Sequence, residues 1–285
     1  MLGVVNNSSC ESQSPLGLSP GRPPWRFRQV SLNKGLIAIP LMKHMERDIP
    51  ALIEEIRGRI ELLESNLPTR VDAMAVSPIS KLPYKGMLYR EALVWRMAEL
   101  GREALESFEK NRLVSAIVLT RAAVETSAAL WYLCKKVDEV VKSGVVGDID
   151  NNLMRLMMGS ATGASADDAN ATDSVLPRPI KVGDFLKQVE KDIKGFSHQY
   201  GILSEYAHPN WAGTALLYSK PKPEDRSTIF GQNIRGSNTK NIGVVNLSVA
   251  LMMFDRSYNR IADLMPTFIS LCENRLQASD IPGTV

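Results

Sequence analysis

The sequence predicts an all-α protein: a bundle of about five main helices with a small β-hairpin inserted after residue 213. Three observations lead there. Apolar residues recur at helical spacing in several long stretches. Alanine, leucine and methionine are plentiful while aromatic residues make up 6% of the chain, a bias toward helix over strand. One stretch, within residues 112–141, is apolar on nearly every side for about six turns, so it belongs at the centre of a bundle.

The 285 residues divide into an extension and one domain. Residues 1–41 are rich in Ser, Pro and Gly, with Pro15, Pro20, Pro23 and Pro24, and read as a disordered N-terminal extension. Met42 or Met45 is a sensible start, which makes the extension a candidate start-site artefact. Residues 42–278 read as a single helical-bundle domain containing a mobile loop, 143–180.

The first helix is expected from Ile49 to Leu67. Ile49, Leu52, Ile53, Ile56, Ile60 and Leu63 form one apolar stripe, and Asp48 before Pro50 supplies an N-cap. Pro68, Pro78 and Pro83 then break the chain into a loop. A second helix, Met87 to Phe108, gathers Leu93, Met97, Leu100, Ala104 and Phe108 on one face. Its charged residues, Arg90, Glu91, Arg96, Glu99, Arg102 and Glu103, are assigned to the opposite, outer face.

The third helix is the apolar one, Arg112 to Val141. Beyond Gly144 the pattern fades into a loop with a short helix at Asn152 to Met158. A fourth helix begins near Asp184, pauses at Gly195 and resumes from Phe196 to Ala207. There His208-Pro209 ends it, because a residue before proline avoids the α region. Thr214 to Ser219 and Ser227 to Phe230 are β-prone and pair as the hairpin. A last helix, Lys240 to Leu276, carries an expected kink at Pro266.

Charge and cysteine usage narrow the function classes. The net charge is +3, but residues 1–41 hold Arg22, Arg26, Arg28 and Lys34 against Glu11 alone, leaving the helical body balanced. A nucleic-acid footprint would therefore have to come from local clustering. Cys10, Cys134 and Cys272 are odd in number and widely spaced, which fits neither a disulfide framework nor a cysteine metal site and points to a reducing cytoplasm. No secretory leader pattern opens the chain, and Arg121 and Glu125 interrupt the longest apolar run, so no membrane span is expected.

Two segments could carry chemistry. In Leu119 to Glu125, Arg121 and Glu125 stand at i, i+4 inside the central helix, and a buried arginine demands a carboxylate partner. The pair either presents a guanidinium fork to a phosphate or carboxylate, or is an ion pair that sets helix register. In Tyr200 to Trp211, Ser204 and Glu205 precede His208 by one helical turn and Asn210 follows it. His208 is thus a candidate acid/base, with Ser204, Glu205 and Asn210 supporting it. The competing reading is a helix-ending histidine in a rigid corner. No Walker or Rossmann loop, nucleophile elbow or second Glu-x-x-His is present, so neither cofactor nor metal is expected.

With its Arg-x-x-x-Glu helix and its Leu-Ser-Glu-x-x-His-Pro segment followed by a hairpin, the chain resembles a bacterial all-helical family over residues 87–275. More distantly it is similar to HEPN-type helical bundles, many of which are metal-independent ribonucleases of defence and toxin systems. The Arg-x(4–6)-His motif of those enzymes is absent here. The resemblance implies that Arg121, Glu125 and His208 meet at the bundle centre, with Arg121 standing in for the missing arginine.

Two functions follow as expectations. One is a non-catalytic binding or interaction module in which the three residues form a buried network. The other is a HEPN-like metal-independent ribonuclease, or a nucleotide-handling enzyme of a defence or toxin–antitoxin type system, catalysed by Arg121, Glu125 and His208. RNA, a nucleotide and a second copy of the chain are the candidate partners. Exposure discriminates: a His208 opening into a cleft favours the enzyme, and a sealed, fully hydrogen-bonded one favours the module.

Overall fold

A computed structural model of the chain describes residues 48–161, 176–235 and 237–279. The extension at 1–41 and the middle of the 143–180 loop lie outside these residues. The described elements, in order, are α1 (Ile49–Glu64), α2 (Ala73–Val76), α3 (Lys81–Glu109), α4 (Leu113–Ser143), α5 (Ile149–Met158), α6 (Val182–Asp192), α7 (Phe196–Ala207), α8 (Ala215–Tyr218), β1 (Ser219–Lys222), β2 (Ser227–Phe230) and α9 (Ser237–Ser279). This is an all-α bundle with one two-stranded antiparallel hairpin.

The centre of the bundle is α4, packed between α3 and α9 with α6 and α7 along its remaining side. By length and composition α4 could cross a membrane, but here more than half of its apolar stretch is buried against helices of the same chain. A short turn reverses α3 into α4, with Asn111 in the left-handed region at φ 56°. Helix α9, by contrast, runs parallel to α4. Ile117 lies beside Gly243, the Ser127 hydroxyl donates to the Ala250 carbonyl at 2.6 Å, and Asp138 pairs with Arg260 at 2.8 Å. A parallel pair needs a long crossover, which α5 to α8 and the hairpin provide.

Small residues set the closest approaches. A Cβ on Gly243 would stand 2.3 Å from the Phe108 ring and 2.8 Å from Ile117 Cδ1, so only glycine lets α9 seat against the α3–α4 turn. Helix α4 ends as the sequence signals, with Gly144 at φ 70° and its N–H bonded to the Val140 carbonyl at 2.9 Å.

Several boundaries differ from expectation. Helix α3 starts six residues early and includes Pro83, which is tolerated because first-turn N–H groups have no helical acceptor. Asp48 occupies the N-cap position of α1 without a side-chain cap bond, and α1 stops at Glu64 rather than Leu67. Within the expected mobile loop 143–180, residues Ile149–Met158 form α5, tied to α4 by the Tyr132 hydroxyl on Asn152 at 3.0 Å. The first β-prone run splits, its start coiling into α8 before the strand opens at Ser219. Pro266 lies inside the continuous helix α9 at an exposed position.

Candidate functional site

Arg121 and Glu125 stand on the strip of α4 that faces α7. Their side chains are 30% and 26% exposed, so the expected burial is corrected: they line the rim of the core. Buried Thr120, Ala123, Val124 and Ser127 hold the adjacent face against the bundle. Composition could not separate these two faces, because α4 is apolar on both.

The partner that completes the pair is Tyr200 of α7. Its hydroxyl donates to Glu125 Oε1 at 2.6 Å and accepts from Arg121 Nε and Nη2 at 3.0 and 2.7 Å. One donor and two acceptor sites are all that a phenol has, so this oxygen is saturated. Arg121 Nε also lies 3.5 Å from Glu125 Oε1. Burial, reinforced by the bond to Glu125 and opposed by Arg121, raises the Tyr200 pKa, so the hydroxyl stays a donor. Tyr200 lies two turns before His208, a spacing that puts both on one helix yet carries no signal that the tyrosine reaches α4.

His208 sits elsewhere in the arrangement. Its backbone leaves the helix at φ −87°, ψ 152°, its N–H bonding the Ser204 carbonyl at 3.1 Å, and its ring is exposed. No side-chain hydrogen bond joins it to Arg121 or Glu125 among the described residues, so the expected meeting of the three at the bundle centre is corrected. The supporting residues are occupied in the corner itself. The Ser204 hydroxyl returns to the Tyr200 carbonyl at 3.0 Å. Asn210 Nδ2 donates to Glu205 at 2.6 Å, while Asn210 Oδ1 accepts the Gly213 N–H at 3.1 Å. A Cβ on Gly213 would fall 2.1 Å from the His208 carbonyl, so the chain turns there through space that a side chain would fill. His208 is exposed and therefore not sealed. Two surface depressions around Val145 and Gly147 include none of these residues.

The buried charge lies instead between α3 and α9. Arg90 is fully buried and pairs with Glu91 Oε1, and its Nε donates to the Tyr258 carbonyl at 3.2 Å. The Tyr258 hydroxyl donates to Glu91 Oε2 at 2.5 Å. Burial pushes the Glu91 carboxyl upward against the pull of Arg90 and Tyr258. This corrects the assignment of Arg90 and Glu91 to an outer face. The signal was in the spacing: Arg90 precedes Leu93, Met97 and Ala104 by 3, 7 and 14 residues, the period of the apolar stripe.

Other chemistry finds little footing. Burial pushes the thiols of Cys134 and Cys272 up to about 12, which makes them poor nucleophiles. No group of three or more His, Cys, Asp and Glu side chains among the described residues is placed to hold a metal ion. No family model, curated protein or solved structure matches the chain.

Proposed function

We propose that the protein is a non-catalytic interaction module whose binding surface is the corner and hairpin following His208. The observation that carries this reading is exposed apolar area. Trp211 is 64% and Phe230 76% exposed, with Tyr218 and Ile229 also open, all within one short segment. Four large apolar side chains left open along residues 211–230 favour this segment as a site of association.

The dispersal of the candidate acid/base apparatus supports the same reading, since His208 has no hydrogen bond to Arg121 or Glu125. Arg121, Tyr200 and Glu125 then act as a clasp that fastens α7, and so the corner beyond it, to the central helix. Widely spaced cysteines, two of them buried, suit a reducing cytoplasm as its place of work.

The test is incubation of total RNA with the purified protein in EDTA, alongside His208→Ala. Neither protein is expected to cleave. Cleavage by the wild type that vanishes in His208→Ala would overturn the module in favour of a metal-independent ribonuclease.

A further inference from the structure

The hairpin has two free edges of unlike character. The edge of β1 carries Lys220, Pro221 and Lys222, the charged and proline residues that discourage another strand from pairing. That of β2 reads Ser227-Thr228-Ile229-Phe230, with no charge, no proline and all four residues exposed.

The register fixes which backbone groups this edge offers. Ser219 pairs with Phe230, Lys220 with Ile229, Pro221 with Thr228 and Lys222 with Ser227. The Gly231 N–H bonds the Tyr218 carbonyl at 3.0 Å, so inward bonds fall on that pair and on every second pair after it. Lys220–Ile229 therefore bonds inward, the Ser227 N–H at the hairpin end donates to Asp225 Oδ1 at 3.0 Å, and the N–H and C=O groups of Thr228 and Phe230 project from the open edge. Pro221, lacking an N–H, sits at an outward position of β1, as this phase requires.

We infer that this edge pairs with its own copy, so that β2 of two chains join antiparallel into a four-stranded sheet and the protein is a homodimer. The inference rests on the interaction-module reading and names its partner. The register that uses both outward residues sets Thr228 against Phe230 of the second copy and Ile229 against itself on the twofold axis. An aromatic thereby meets a β-branched residue twice, and two isoleucines meet once, all favourable cross-strand neighbours. The lysines at position 220 are three strand spacings apart, about 14 Å, beyond the screening length at physiological salt. Arg226 comes opposite Gln232, so no like charges oppose each other. Pairing also raises a two-stranded ribbon past the three strands that a stable sheet needs.

The test is sedimentation of the full chain over a wide concentration range, with two variants. Thr228→Pro removes an outward N–H while leaving the bonds between β1 and β2, and it is expected to weaken the dimer at least about tenfold with unchanged circular dichroism. Ile229→Cys in a Cys10→Ser background is expected to form an intermolecular disulfide under mild oxidation, because facing residues at a non-hydrogen-bonded pair lie within bridging distance. Cysteine at position 228 is expected to link far less. A monomer at every concentration overturns the dimer and leaves the module to a different partner. A dimer indifferent to Thr228→Pro, or one that links equally through positions 228 and 229, overturns this edge as its seam. RNA cleavage in the EDTA assay would instead remove the module reading on which the inference stands.

Discussion

Arg90 stands over the ring of Tyr258, its guanidinium carbon 3.4 Å from the ring centre, although the two residues are 168 positions apart. Glu91 binds both of them, so a cation, an anion and a phenol close one circuit inside the core. Removing a single member strands the others in a place without water. Arg90→Ala is expected to cost about 3–5 kcal/mol and Tyr258→Phe about 1–3 kcal/mol in urea unfolding. Replacing all three by apolar residues (Arg90→Met, Glu91→Leu, Tyr258→Phe) is expected to recover most of that loss. A triple variant less stable than Arg90→Ala would show that the circuit itself, and not its burial, stabilises the fold.

Tyr200→Phe keeps the ring of the clasp and deletes its shared oxygen. Because Arg121 and Glu125 are partly exposed, water replaces the lost bonds, and the expected cost is about 1 kcal/mol. Hydrogen exchange localises the effect: faster exchange confined to α7 is expected, while α4 keeps its protection. Equal loosening of both helices would count against a clasp that fastens α7 onto a rigid core.

Asp255 gives the fold a pH dependence of defined sign. Its Oδ2 accepts from Arg59 at 2.8 Å, yet burial outweighs that partner and raises the carboxyl to about 6. The folded chain thus holds this proton more tightly than the unfolded chain, whose aspartate titrates near 3.9. The contribution is complete below about pH 4 and is lost as pH rises through 6. The drop in stability between pH 5 and 7 is therefore expected to be smaller in Asp255→Asn than in the wild type. An equal slope in both proteins would remove Asp255 as its source.

Gly243→Ala places a methyl group where the Phe108 ring already lies. Overpacking at this contact is expected to cost about 1–3 kcal/mol, and Phe108→Leu in the same chain is expected to return part of it. Thermal unfolding of the two single variants and the double variant measures the coupling. Strict additivity would mean that α9 shifts away from the ring instead of straining against it.

The helices were legible because their apolar stripes are long, and the Gly144 and His208-Pro209 stops are local signals. For Arg90, residue type suggests the surface while spacing puts it on the stripe, and adjacent Glu91 together with Tyr258, 168 residues away, explains how the core accepts it. Arg121 failed in the opposite direction. An arginine among apolar neighbours looked central, but a helix that is apolar all round hides which strip meets the rim. Tyr200 was invisible for a third reason, since one tyrosine in an amphipathic helix looks like any other until α7 docks. Site geometry here depends on helix rotation and on contacts distant in sequence, and neither is written in local spacing.

The parallel course of α4 and α9 has a consequence for biosynthesis. The two helices meet across 123 residues, as the Ser127–Ala250 contact shows. At translation rates of 5–20 residues per second, α4 waits on the order of ten seconds for the helix that covers it. During that interval a segment long and apolar enough to span a bilayer emerges with only α1 to α3 already made. The nascent chain thus carries uncovered apolar surface through that interval, and synonymous changes that slow the crossover codons are expected to lengthen its exposure.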